Sequence, residues 1–133
     1  MSEYHVVETE FKDQEVLIEA LTEMGFKPQV HTTAHNLQGY QGDQRNQKAH
    51  IILPRKQVGG ASNDVGFENV NGKFTCHASQ YDSAWRTGAK LKKLKQTYGE
   101  KVIMKSVRRT SKYSFVSRKQ EENGDIKIKV RRL

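Results

Sequence analysis

The sequence contains a single cysteine, Cys76, and no apolar run long enough to cross a membrane. One cysteine excludes an internal disulfide and a cysteine-rich zinc site. A membrane-spanning helix needs roughly 18 or more consecutive apolar residues, and the chain has no such stretch. The first residues, Met1–His5, also lack the basic and apolar regions of a secretory signal peptide. We therefore expect a cytoplasmic protein without a membrane partner.

Acidic side chains are scarce in the second half of the chain. The whole chain has 23 Lys and Arg against 15 Asp and Glu, which gives a formal net charge of +8. Residues 1–66 contain 6 basic and 9 acidic side chains, whereas residues 67–133 contain 17 and 6. Residues 86–119 hold 12 basic side chains and one acid, Glu100. Because such a block of like charges repels itself, it indicates an anionic partner.

Apolar residues recur with helical and strand periods along the chain, which predicts one folded domain over residues 1–133. Asp13 is a suitable N-cap for a first helix that Gly25 ends. A second helix is predicted for Ala84–Tyr98, with Gly99 as its end. The predicted strands are Tyr4–Phe11, Gln29–Thr33, Lys48–Leu53, Val65–Val70, Lys73–Ala78, Val102–Val107, Tyr113–Gln120 and Asp125–Arg131.

Two hairpins set the expected topology. Asn71-Gly72 and Asn123-Gly124 favour tight turns because both residue types tolerate positive φ, whereas Asn36–Gln47 is typical of a loop. The predicted order is β-α-β-β-β-β-α-β-β-β. Antiparallel hairpins with two helices indicate the α+β class, a two-layer sandwich of a mostly antiparallel sheet and two helices.

Several short sequence motifs resemble those of a known family. They are Asn36–Asp43, Ser62–Phe67, Tyr81-Asp82, Leu94–Tyr98 and the closing hairpin with its Asn-Gly-Asp turn. In this order they resemble the DUF1257 family, which includes the Ycf35 proteins of chloroplasts and cyanobacteria. The resemblance implies no reaction, cofactor or catalytic residue. Because members are often encoded near AAA-type ATPases, it implies such an ATPase as a partner protein.

The second predicted helix carries the main functional signal. Arg86, Lys90 and Lys93 follow at i, i+4 and i+7, and Lys92 and Lys95 widen this stripe. The expected polyanion contacts are Arg86, Lys90, Lys93, Arg108, Arg109 and Lys112, with Tyr113 and Phe115 as stacking surfaces for unpaired bases. We therefore predict a protein that binds nucleic acid. An acidic protein surface and a merely solvated helix face are the alternatives.

Two glycine-bearing loops predict the position of a pocket, if they meet in space. Its expected polar residues are Asn36, Tyr40, Asp43, Arg45, Asn63 and Asp64. Neither loop has the spacing of a phosphate-binding or dinucleotide-binding motif. An enzyme using the Gly39–Asp43 and Ser62–Asp64 loops, with Asp43 and Asp64 as acid and base, is a further alternative.

The histidines and the cysteine do not indicate a metal or catalytic site. His31 and His35 are four residues apart, but they lie in a segment predicted as strand and loop, where that spacing does not guarantee a shared site. Cys76 and His77 are adjacent in a predicted strand, so that their side chains point to opposite faces. We expect no metal ligand, no cofactor and no catalytic residue.

Overall fold

The protein contains a five-stranded antiparallel sheet, a separate two-stranded ribbon and four helices in the part that is described. The computed structural model describes residues 3–109, 113–120 and 125–132. Along the chain its elements are β1 (Tyr4–Glu8), α1 (Gln14–Glu23), β2 (Gln29–Gln38), β3 (Gln44–Leu53), α2 (Arg55–Val58), β4 (Val65–Val70), β5 (Lys73–Ser79), α3 (Ser83–Arg86), α4 (Ala89–Arg109), β6 (Tyr113–Gln120) and β7 (Ile126–Arg132). The sheet order is β1-β5-β4-β3-β2, and β6 pairs with β7. The predicted α+β class is confirmed.

Helix α1 begins and ends at the predicted residues. The Asp13 carboxylate accepts the backbone N–H of Val16 at 3.1 Å, as expected of an N-cap. Gly25 has a φ of +98°, and the N–H of Phe26 bonds to the carbonyl of Leu21. This closure places Phe26 against the core, because the residue after the glycine packs back onto the last turn.

The hairpin of β4 and β5 is also as predicted. Asn71 and Gly72 have φ values of +55° and +86°, the conformation of a type I′ turn. Phe67 pairs with Cys76 and Gly66 with His77. Since paired residues share a face, Cys76 points into the core with Phe67, and His77 points to the other face.

The main core lies between the sheet and α1, α3 and α4. Leu17 of α1 and Leu94 of α4 are fully buried there. The Trp85 ring of α3 lies 5.5 Å from the Phe26 ring and 6.2 Å from the Phe67 ring, measured between centroids. These aromatic contacts hold α3, and therefore the start of α4, in a fixed position on the sheet.

The two edge strands of the sheet approach each other at one end. Tyr4 of β1 donates its hydroxyl to the Asp64 carbonyl at 2.7 Å, and the same hydroxyl lies 3.3 Å from the Gln38 carbonyl of β2. The Tyr4 ring packs on a second apolar cluster of Leu37, Ala49 and Ile52. Burial, together with the neighbouring Asp64 carboxylate, raises the pKa of Tyr4 well above its usual value. The sheet is therefore strongly curled at this end.

The predicted strand Val102–Val107 is wrong, because these residues continue α4 through Gly99 to Arg109. Their β-branched side chains favour a strand locally. Helical contacts to α1 outweigh that preference. The Tyr98 hydroxyl accepts the backbone N–H groups of Lys12 and Asp13, each at 2.9 Å. About two turns later, the Lys105 ammonium forms an ion pair with the Asp13 carboxylate. The Lys105 contact requires that the chain continue as a helix beyond Gly99.

Two other predicted boundaries differ. The helix predicted for Ala84–Tyr98 is divided into α3 and α4 at Thr87-Gly88, where a Cβ on Gly88 would meet the Ser83 carbonyl oxygen at 2.8 Å. The predicted loop Asn36–Gln47 is mostly strand, because the Asn36 side chain donates to the Arg45 carbonyl at 2.7 Å and extends the β2–β3 pairing. Only the short turn at Gly39–Asp43 separates β2 from β3.

Candidate polyanion interface

The first two turns of α4 concentrate exposed positive charge. Lys90, Lys92, Lys93 and Lys95 are all exposed. None of these four ammonium groups forms an ion pair with a described carboxylate. Lys90 lies 5.7 Å from the centre of the Phe26 ring, which fixes this side chain beside the core by a cation–π contact. We call these four residues the α4 lysine cluster.

The N-terminus of α4 has no compensating group. The N–H of Lys92 bonds to the Gly88 carbonyl at 3.0 Å, so that Gly88, which has no side chain, occupies the N-cap. The first turn of α4 contains no acidic residue. Helix N-termini carry a partial positive charge from their unpaired N–H groups. The lysine cluster therefore adds positive charge where the helix itself already attracts anions.

Arg86 belongs to α3, so the predicted stripe of Arg86, Lys90 and Lys93 is not on one helix. Arg86 is half-buried, and its Nε is buried without a hydrogen-bond partner among the described residues. Its charge acts on Asp82, the N-cap of α3. Burial raises the pKa of Asp82, and Arg86 partly offsets that rise. The Arg86 guanidinium, at the end of α3, thus has a buried N–H group without a hydrogen-bond acceptor among the described residues.

The middle of α4 is neutralised by ion pairs. Lys101 lies 3.4 Å from Glu23, and Lys105 lies 2.7 Å from Asp13 and 3.7 Å from Glu15. The hydrogen bond from Lys105 lowers the pKa of Asp13, and the same bond raises the pKa of Lys105. The basic segment of the sequence is therefore not one continuous patch.

Arg108 and Arg109, which are also predicted contacts, lie far from the lysine cluster. Arg108 and Arg109 are exposed in the last turn of α4, about 22 Å along the axis from Lys93 at 1.5 Å per residue. At a helix C-terminus their charge favours the helix, which is a sufficient structural reason for them. Lys112 and the side chains of Tyr113 and Phe115 lie outside the described part of the structure.

The β6–β7 ribbon presents a second basic face. Its exposed cations, Lys119, Lys127, Lys129 and Arg131, lie on one side of the ribbon. Ile126 and Ile128 are half-buried on the other side, where Arg118 forms an ion pair with Glu100 of α4. Basic and half-buried residues thus alternate along β7. The same alternation in the sequence is the signal that could have identified Lys129 and Arg131 as further candidate contacts. The turn at Asn123-Gly124 lies outside the described residues.

The two glycine-bearing loops do meet in space. The Asn63 side-chain oxygen accepts the N–H of Tyr40 at 2.8 Å. The Asp64 carboxylate accepts the N–H groups of Gln38 and Arg55 at 2.8 and 2.7 Å. Both oxygens of the Asp64 carboxylate therefore accept hydrogen bonds from backbone N–H groups. Together with the Asn63–Tyr40 bond they connect the two loops, and we call this hydrogen-bonded contact the joint.

The Asp43 and Arg45 side chains belong to the same joint. They form a hydrogen-bonded ion pair of 2.6 Å, which lowers the pKa of Asp43. A Cβ on Gly39 would come within 2.6 Å of both side chains, so that the pair packs directly on the glycine. A shallow cleft of about 360 Å³ beside the joint is lined by Arg45, Tyr4 and the polar start of β3.

The histidines and the cysteine lie in several strands of the five-stranded sheet. The His31 and His35 rings stack with centroids 3.8 Å apart, and His50 is close enough to act on the charge of His31. Among the described residues, no group of three or more His, Cys, Asp or Glu is arranged to hold a metal ion. His77 bonds to Glu68 at 3.0 Å. Burial raises the pKa of the Cys76 thiol to about 12, so that it is not a thiolate near neutral pH.

No helix in the described ranges is both long enough and apolar enough to span a bilayer. Comparisons with curated proteins and with solved structures gave no match. A family model described as "Protein of unknown function (DUF1257)" matches residues 20–129, which is most of the chain. This match agrees with the five motifs noted in the sequence, all of which lie within the matched range except the last two residues of the closing hairpin. The chain therefore belongs to the DUF1257 family.

Proposed function

We propose that this chain is a non-catalytic cytoplasmic protein that binds a polyanion, in the first place a nucleic acid, through the α4 lysine cluster and the adjoining ribbon. The observation that supports it best is the start of α4, where four exposed lysines follow an N-cap without a side chain. A cation near a helix N-terminus is unfavourable by about 0.3–1 kcal/mol. This arrangement weakens the helix and strengthens its affinity for phosphate.

The ribbon supports the same proposal. Lys119 of β6 and Lys127 of β7 face each other on the basic side of the ribbon. Lys129 lies on the same face, two residues further along β7. A basic face of this kind gains free energy when phosphates replace its counterions.

The loops at Gly39–Asp43 and Ser62–Asp64 are the site of the alternative enzyme. The two hydrogen bonds that Asp64 accepts from backbone N–H groups support a structural role for that carboxylate. The ion pair of Asp43 with Arg45 supports the same role for the second acid of the predicted couple. We therefore assign no activity to these loops.

An adaptor that docks an acidic protein, such as an AAA-type ATPase, is the second candidate. The exposed aliphatic side chains of Val102 and Ile103 on α4 favour it, because they contribute nothing to phosphate contact. This candidate predicts a stoichiometric partner that survives nuclease treatment during purification. Loss of every partner after nuclease would argue against it.

A variant of the lysine cluster tests the leading proposal. Replacing Lys90, Lys92, Lys93 and Lys95 with Gln should weaken binding to a labelled DNA duplex and to a single strand by at least tenfold, because four phosphate contacts are lost. The matched control replaces four other exposed lysines, Lys12, Lys27, Lys48 and Lys56, with Gln. It changes net charge equally and should retain most of the affinity. Equal losses in both variants would contradict a defined site.

A further inference from the structure

The solvent face of α4 carries an apolar patch in its second half. Val102 is 39% exposed and Ile103 is 47% exposed. Single exposed aliphatic residues are common on protein surfaces. Here two adjacent ones project from a helix whose other side is already buried against α1 and the sheet through Leu91, Leu94 and Tyr98. The described residues offer no cover for this pair.

Gly99 lies one turn before this pair and has no packing reason within the described chain. A Cβ at Gly99 would meet nothing within 4 Å. Glycine inside a helix costs about 1 kcal/mol relative to alanine. Glycine is suited to positions where another backbone approaches closely. The space above Gly99 and the two exposed aliphatic side chains beside it together form a surface on which a second helix could pack closely.

Cations border the patch at both ends. Lys92 and Lys95 precede Gly99 by seven and four residues, and Ser106 and Arg109 follow Ile103 by three and six. These steps of three and four place them on one helix face, about 26 Å long from Lys92 to Arg109. Lys92, Lys95, Ser106 and Arg109 are all exposed. The patch is thus an apolar centre between two positive ends.

A groove runs along one side of the same face. It has a volume of about 810 Å³ and is lined by Tyr98, Val102, Ser106 and Arg109 of α4 and by the residues that lead into α1. The acids of this groove are Glu10, Asp13 and Glu15. Asp13 and Glu15 are paired with Lys105, and the exposed Glu10 lies 4.0 Å from Lys73. The groove can therefore accept side chains from a ligand that lies along α4.

We propose that this face of α4, Lys92–Lys95–Gly99–Val102–Ile103–Ser106–Arg109, docks an amphipathic helix of a partner protein whose apolar residues are flanked by acidic ones. Helix-in-groove recognition uses apolar anchors at helical spacing, and opposite charges at the rim set register and orientation. A second copy of this chain does not fit, because both faces would carry the same cations on a protein of net charge +8. The inference rests on the adaptor candidate and not on nucleic-acid binding.

The test uses a synthetic helical peptide of about five turns with leucines on one face and glutamates at both ends, which matches the 26 Å stripe. Its control has the same composition with the leucines distributed around the helix. Fluorescence anisotropy at roughly 0.15 M salt should show binding of the patterned peptide and at least tenfold weaker binding of the control. Equal binding of both peptides, or no binding of the patterned one, would overturn the proposal.

Variants of the protein identify the surface. Gly99→Leu and the double change Val102→Gln with Ile103→Gln should each weaken peptide binding about tenfold or more. Leucine is a good helix former, so that Gly99→Leu should raise thermal stability while it blocks the approach. Val6→Gln with Val30→Gln, at exposed strand positions, is the matched control and should bind normally.

The same variants separate this inference from the nucleic-acid proposal. DNA affinity should be unchanged in Val102→Gln with Ile103→Gln, because the lysine cluster is intact. Unchanged peptide affinity in both the Gly99→Leu and the double variant would refute docking on this face, whatever the DNA result. Loss of DNA binding in the lysine-cluster variant would still support the proposed function in that case.

Discussion

The Lys105 ammonium lies 2.7 Å from the carboxylate of Asp13, the N-cap of α1, although the two residues are 92 positions apart in the chain. This pair has two consequences. The ion pair neutralises one positive charge in the most basic segment of the sequence. It also holds the second half of α4 against α1. The surplus charge is left at the two ends of α4 and on the ribbon.

We expect Asp13→Ala to destabilise the protein by about 1–2 kcal/mol, mainly through loss of the helix cap on Val16. Asp13→Asn retains a capping oxygen and should cost less. Urea unfolding measures both effects. Lys105→Met, which leaves the cap intact, is the control, and its cost should be smaller than that of Asp13→Ala.

The same carboxylate predicts a pH dependence. Because the pKa of Asp13 is lower in the folded than in the unfolded chain, the unfolded chain binds more protons in that range. The stability that Asp13 contributes is therefore present above its unfolded pKa of about 3.8 and is lost as pH falls through the folded pKa. The stability difference between the natural chain and Asp13→Asn should shrink with acidification. A difference that grows at low pH would contradict the ion pair.

The lowered pKa of His31 predicts a second pH dependence of stability, closer to neutral pH. Burial lowers the pKa of His31, and the adjacent His35 and His50 lower it further. The folded chain therefore binds fewer protons than the unfolded chain as pH falls below 6.5, the ordinary value. Thermal stability should decrease between about pH 7 and pH 5, and His31→Gln should flatten that decrease. An unaltered slope in this variant would remove His31 as the cause.

Because of the hydrogen-bonded joint of the two loops, we expect Gly→Ala changes at two nearby glycines to have very different effects on the free energy of unfolding. Gly39→Ala should destabilise the protein by about 1–3 kcal/mol, because its Cβ would overlap the Asp43–Arg45 pair. Gly60→Ala is the matched change in the neighbouring loop, where nothing lies within 4 Å. It should be neutral or slightly stabilising in urea unfolding. Equal effects of the two substitutions would show that the joint does not hold the loops.

Local signals in the sequence predicted the parts of the fold that depend on neighbouring residues. Asp13 and Gly25 mark the start and end of α1, and Asn71-Gly72 forms the turn of the β4–β5 hairpin. Both could be predicted because caps and tight turns require only a few adjacent residues. The α+β class followed from these elements. The basic first turns of α4 were also visible as a run of lysines.

Long-range contacts account for what the sequence did not show. Gly99 and the β-branched residues after it favour an end to the helix. Long-range contacts such as the ion pair of Lys105 with Asp13 stabilise α4 beyond that point. The neutralisation of Lys101 by Glu23 depends on the same packing. The curl of the sheet depends on a bond between Tyr4 and Asp64, 60 positions apart. Such partners cannot be assigned before the topology is known.

The salt dependence of nucleic-acid binding is the sharpest test of polyanion binding by this surface. The affinity of the natural chain for a short DNA duplex should fall linearly on a plot of log affinity against log salt concentration. We expect the four lysines of the α4 cluster to contribute a slope of about −3 to −4, since each phosphate contact contributes roughly −0.9, and contacts of the ribbon would add to it. Replacing those four lysines with Gln should remove most of that slope. An affinity that is indifferent to salt would contradict polyanion binding by this surface.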